Sequence, residues 1–126
     1  MSLGSMLTGG MAAVLICEPH DDIASLLQVV VQRLGHTPVV WKGGDLDVGQ
    51  LDAAIVEPGE PTGMRLAIRL ASAGIPVLFT SIFPPDDSTT SLHPAAYLLK
   101  PFPLYRLEEA IGEILGPPAH TTAAAC

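Results

Sequence analysis

The stretch LDAAIVEPGE (residues 51–60) runs from small and branched apolar residues straight into a carboxylate and a proline. Ala53, Ala54, Ile55 and Val56 form an unbroken apolar run with no helical period, the pattern of a strand buried on both faces. Glu57 stands at its carboxyl end. An acid there is either a solvated strand end or part of a site, and the other elements of the chain decide between the two.

Working outward, AAVLICE (12–18) reads as a first buried strand. PHDD follows, with Asp21 or Asp22 as N-cap of a helix whose apolar residues Ile23, Leu26, Leu27, Val30, Val31 and Leu34 recur at helical spacing. Gly35 takes the C-terminal cap position. TPVVW (37–41) is a second strand, and KGGDLDVGQ is a glycine-broken connection with at most a turn of helix. After the third strand (52–57), PGEPTG reads as a loop and MRLAIRLASAG (64–74) as a helix. IPVLFTS (75–81) and AAYLLK (95–100) are the fourth and fifth strands, and LYRLEEAIGEIL (104–115) is a final helix carrying Leu104, Leu107, Ile111 and Leu115 on one face. Between the last two strands, IFPPDDSTTSLHP (82–94) stands where a helix belongs, but its three prolines predict a loop or a very short helix. Asp86 and Asp87 read as a solvated loop pair.

Strands that are nearly all apolar and alternate with helices predict an α/β fold, a doubly wound parallel sheet covered on both faces. Ligand chemistry in such sheets gathers beyond the carboxyl ends of the strands. Glu18, Glu57, Ser81 and Lys100 all fall there.

Composition sets the outer limits. A chain of 126 residues is one domain by size, and 48% hydrophobic against 15% charged residues supplies a real core. The net charge of -7, with only six Lys and Arg and no basic cluster, argues against a nucleic-acid surface. Two cysteines, Cys17 and Cys126, make no disulfide framework and fit a reducing compartment, so a cytoplasmic location is expected. MAAVLIC is too short for a spanning helix and has no basic flank, so no membrane association is expected. Residues 1–10 read as a tag or leader, 11–116 as the domain and 117–126 as a flexible tail. His20, His36, His93 and His120 are scattered without metal-ligand spacing, and no metal site is assigned to them.

The four strand-end positions and their spacing resemble the receiver domain of response regulators in two-component phosphorelays. The resemblance spans residues 12 to 115 and rests on VLICEPHDDIASLL, DAAIVEPGEPTG, IPVLFTS and above all AYLLKPF. It implies a flavodoxin-like (CheY-like) sheet of five strands in the order 2-1-3-4-5, with the fourth helix shortened or replaced by loop. It implies that Glu18 and Pro19 match the acidic pair and Glu57 the phosphoacceptor. Ser81 and Lys100 match the residues that bind phosphoryl oxygens. Tyr97 matches the aromatic that swings inward on activation, although a plain core role suits it as well. The Lys100–Pro101 bond would be cis.

Two positions depart from the family's pattern. Pro19 offers no side-chain oxygen where the family has a second acid, so Mg2+, which demands near-octahedral oxygen ligation, is expected to bind weakly or not at all. Glu57 is one methylene longer than Asp, a displacement of roughly 1 Å that can cost about a hundredfold in rate. Phosphoryl transfer is therefore expected to be very slow or absent. Glu57 then reads as a partner of Lys100, or as a partial built-in imitation of a phosphorylated acceptor.

The resulting expectation is a pseudo-receiver of bacterial signal transduction, not an enzyme, acting as a protein-interaction module. Its expected partners are a histidine kinase, an output domain or another receiver, with homodimerisation through residues 82–115 among the options. One alternative is a receiver phosphorylated at another carboxylate, such as Glu18, which that layout puts at the rim of the site. A small flavodoxin-like enzyme or nucleotide binder is the other, although neither GxGxxG nor a glycine-lysine phosphate loop is present.

Overall fold

The computed structural model describes residues 11–59 and 61–116. The leader expected over 1–10 and the tail over 117–126 lie outside the described residues, as do Glu60, His120 and Cys126. Strands β1 (Ala13–Cys17), β2 (Thr37–Val40), β3 (Ala53–Val56), β4 (Val77–Ser81) and β5 (Ala96–Leu99) pair in parallel in the order β2-β1-β3-β4-β5. The helices are α1 (Asp21–Arg33), α2 (Pro61–Ser72), a single turn α3 (Asp87–Thr90) and α4 (Leu104–Leu115), with a 3-10 turn at Val48–Gln50.

Strand pleating divides the core into two layers. Val14 and Ile16 of β1, Ile55 of β3 and Leu78 of β4 face α1 and α4, meeting Leu27, Val30, Val31, Leu107 and Ile111. The alternate residues Leu15, Ala54, Val56, Val77 and Phe79 face α2, meeting Leu66, Ala67 and Leu70. A sheet buried on both faces explains the absence of polar alternation in its strands.

Three local expectations are corrected. The residue preceding α1 is His20, which makes no side-chain cap; Asp21 and Asp22 lie inside the first turn, where the helix dipole favours negative charge. The loop expected through residue 63 ends sooner, because α2 begins at Pro61. Proline at the first helical position loses nothing, since its missing N–H would have no helical partner there. Asp86 is exposed as expected but is not a bystander. Its carboxylate accepts the Thr89 N–H at 2.9 Å while the Thr89 hydroxyl oxygen accepts the Asp86 N–H at 3.0 Å, a reciprocal cap that starts α3. The one-turn length of α3 agrees with the proline-rich reading of residues 82–94.

Gly63 sets how closely α2 approaches the sheet. A Cβ there would overlap the main-chain carbonyl oxygen of Glu57, so only glycine lets the first turn of α2 lie against the end of β3.

Candidate functional site

Glu18, Glu57 and Lys100 follow directly on the carboxyl ends of β1, β3 and β5. Main-chain bonds hold two of these positions. The Glu57 N–H donates to the Cys17 carbonyl at 2.9 Å, and the Lys100 N–H donates to the Ser81 carbonyl at 2.7 Å. Each side chain continues the pleat of its strand: Glu18 stands two residues after Ile16, Glu57 two after Ile55, and Lys100 two after Leu98. All three therefore belong to the face that carries α1 and α4.

There they meet. The Lys100 ammonium donates to Glu18 Oε1 at 2.8 Å and to Glu57 Oε2 at 2.9 Å. The Glu18 side chain is 1% exposed, that of Glu57 9% and that of Lys100 11%. Burial opposes the charge on Lys100, but its hydrogen bonds to Glu18 and Glu57 and their negative charges outweigh it, holding the ammonium above its ordinary pKa. Lys100 is thus a cation across the neutral range.

The remaining carboxylate oxygens are also engaged, through two similar turns. Glu57 Oε1 accepts the Gly59 N–H at 2.7 Å, across Pro58. Glu18 Oε2 accepts the His20 N–H at 3.1 Å, across Pro19, and lies 3.0 Å from His20 Nδ1. In both Glu-Pro-X turns the proline has no N–H, so the next donor along the chain closes onto the carboxylate. Sequence reading missed this device and with it His20, an exposed residue now in contact with the buried acid. The repeated Glu-Pro at the ends of two adjacent strands was the available signal. The rim position expected for Glu18 is also corrected: its side chain is more deeply buried than that of Glu57.

Ser81 does not join the trio. It stands two residues after Phe79, so its side chain turns toward the α2 side of the sheet, where it is 2% exposed. Its hydroxyl oxygen accepts the Phe83 N–H at 3.1 Å. Tyr97 is on that side too, its ring against Phe79 with centroids 5.9 Å apart and its hydroxyl donating to the Phe83 carbonyl at 2.6 Å. The Lys100–Pro101 bond is cis, as the resemblance implies. Pro19 lines a cleft of about 300 Å³ beside the two acids, together with Trp41, Lys42, Thr62 and Gly63.

The Lys100 ammonium lies between the two acids, Pro19 offers no side-chain oxygen, and all four carboxylate oxygens already accept donors. Among the described residues no group of three or more His, Cys, Asp and Glu side chains is arranged to hold a metal ion. No described helix is long and apolar enough to cross a membrane.

No protein-family model matches the sequence, and the search of curated proteins finds no match. Solved structures do match. A response regulator from Thermotoga maritima superposes with a TM-score of 0.69 at 17% identity, over 83% of this chain and 98% of that one. A response regulator receiver protein from Burkholderia phymatum gives 0.69 at 22% identity, over 84% and 96% of the two chains. The receiver domain of a sensor histidine kinase from Pseudomonas aeruginosa, which has a magnesium ion coordinated in its active-site cleft, gives 0.64 at 16% identity over 83% and 98%. The strand order, the parallel pairing and these superpositions agree: this chain has the CheY-like fold of response regulator receiver domains.

Proposed function

We propose that this chain is a receiver-like interaction module of two-component signal transduction whose acidic pocket holds its own lysine counter-ion and takes up neither metal nor phosphoryl group in the usual way. The carrying observation is the Lys100 ammonium seated between Glu18 and Glu57, 2.8 and 2.9 Å from their oxygens. In this reading Glu57 is a fixed charge, a partial stand-in for a modified acceptor. It carries less charge and fewer acceptor oxygens than a phosphoryl group.

The neighbours in fold are signalling modules, and one is the receiver domain of a sensor histidine kinase. By analogy the partners are a histidine kinase, an output domain or another receiver, in a bacterial cytoplasm. The surface from residue 82 to 115 suits such contacts, because it exposes Ile82, Phe83, Leu99 and Tyr105. A homodimer through the same surface is the variant of this reading that a sizing measurement separates. Phosphorylation at Glu18 has less support, since that side chain is 1% exposed and both its oxygens are engaged.

The test is incubation with acetyl phosphate, or with beryllofluoride, at millimolar Mg2+, followed by intact mass and amide chemical shifts. No mass increase and no saturable shift at residues 18, 57 and 100 are expected. Saturable modification at Glu57, or tight Mg2+ binding, overturns the reading.

A further inference from the structure

Thr80 is wholly buried, and its hydroxyl oxygen has no hydrogen-bond partner among the described residues. A hydroxyl orphaned in a core is costly and calls for a physical explanation. The strand register says what it stands beside. Ile55 pairs with Leu78 and Val56 with Phe79, so the same register carried one step further sets Glu57 opposite Thr80. On its other side Thr80 pairs with Leu98, two residues before Lys100. Standing two residues after Leu78, Thr80 belongs to the sheet face that carries α1 and α4, the face of Glu57 and Lys100. Neighbouring strands run about 5 Å apart, which places the orphan hydroxyl next to the charged trio. Lys100 has a matching surplus. An ammonium has three N–H donors. Glu18 Oε1 and Glu57 Oε2 take two of them and no described residue takes the third, although the side chain is only 11% exposed.

We propose that Thr80 is a positioning residue of the acidic pocket, holding the Lys100 ammonium through one internal water molecule. That water accepts the third ammonium proton and the Thr80 hydroxyl proton and donates to Glu57 Oε2, three partners being the usual complement of a buried water. A larger ligand has no room beside a side chain that solvent does not reach. An anion there would face Glu57, and a cation would face Lys100. Lys100 also lines a groove of about 420 Å³ with Ile23, Leu27 and Phe102, which gives water a way to the ammonium. The proposal deepens the reading above, since it adds a member to the same site, but it needs from that reading only that Lys100 is the resident counter-ion.

Water-selective NOE spectra of the full chain, together with hydrogen exchange of the Lys100 ammonium, test the assignment with Thr80→Val and Thr80→Ser. In the wild type a long-lived water is expected to show cross-peaks to the Thr80 methyl and to the Lys100 ammonium. Thr80→Val keeps the branched shape and removes the hydroxyl. It should abolish the water cross-peak to Lys100 and speed ammonium exchange about five- to tenfold, the worth of one hydrogen bond. Thr80→Ser keeps the hydroxyl and loses the methyl, and it should leave both signals near wild type. A role in packing alone predicts the reverse order, with Thr80→Ser the more disturbed of the two. Absence of the cross-peaks in the wild type, unchanged ammonium exchange in Thr80→Val, or the reversed order each overturns the assignment. Thr80→Val is close to isosteric, so loss of fold does not obscure the result. Phosphoryl labelling at Glu57 in a protein that shows the water cross-peaks would defeat the functional reading and leave the assignment of Thr80 standing.

Discussion

Replacing Lys100 by methionine probes the site with the least disturbance to packing, because the aliphatic stem of Lys100 lines an apolar groove with Ile23, Leu27 and Phe102 that a thioether can still fill. What is lost is the ammonium. Two carboxylate oxygens that each lie within 2.9 Å of one nitrogen are at most about 6 Å apart. At that separation and an effective dielectric constant near 20, their mutual repulsion is about 3 kcal/mol. Removing one partner from a buried ion pair costs about 3–5 kcal/mol in general, and the two figures agree. Against a domain stability of about 5–15 kcal/mol this is a large fraction. Urea unfolding at pH 7.5 measures the loss, and Glu18→Gln placed in the Lys100→Met background should recover about half of it. A variant within about 1 kcal/mol of wild type at pH 7.5 refutes the reasoning.

Gly63→Ala should lower stability by about 2 kcal/mol despite alanine's better helix propensity, because the added methyl meets the Glu57 carbonyl oxygen and main chain must move; a thermal melt about 10 °C below wild type is the expected result. His36 is 5% exposed and its Nδ1 accepts the Ala12 N–H at 3.2 Å, while burial lowers its pKa below 6.5, the nearby Asp52 charge only partly opposing. The unfolded chain then binds more protons below pH 6.5, so this contribution is complete above that value and is lost as pH falls through the folded-state pKa. His36→Gln should flatten the fall in urea midpoint between about pH 6.5 and 5, and equal slopes in the two proteins would contradict the assignment. Pro19→Asp with Glu57→Asp restores two short carboxylates, and the pair should produce saturable Mg2+-dependent amide shifts that are not expected in the wild type; neither single change should suffice, since one leaves the longer Glu57 bound to Lys100 and the other leaves position 19 without a side-chain oxygen.

The fold was legible because its signals are redundant. Ala53–Val56 is a short apolar run closed by Glu57-Pro58 and buried along its whole length, and α4 from Leu104 to Leu115 carries a helical period throughout. The start of α2 was not, because Pro58, Gly59, Pro61 and Gly63 together read as loop, whereas a proline in the first turn loses no helical bond and Gly63 is needed to clear the Glu57 carbonyl. The site was half legible. Glu57 and Lys100 meet as their strand-end positions suggested. Ser81 was grouped with them by its strand-end position and by the family resemblance, whereas counting two residues back to Phe79, and likewise from Glu57 to Ile55, sorts the side chains onto opposite faces. His20 and the two Glu-Pro-X turns escaped notice because a carboxylate reaching back to a nearby N–H depends on turn geometry that residue spacing does not specify.

The most direct measurement is NMR observation of the Lys100 side-chain nitrogen at neutral pH, with and without Mg2+ and beryllofluoride. A counter-ion held between two buried carboxylates should give an ammonium resonance with slowly exchanging protons, unmoved by either addition at millimolar concentration. An ammonium that exchanges as fast as a solvent-exposed lysine, or one whose resonance shifts to saturation with Mg2+ or beryllofluoride, would contradict the account.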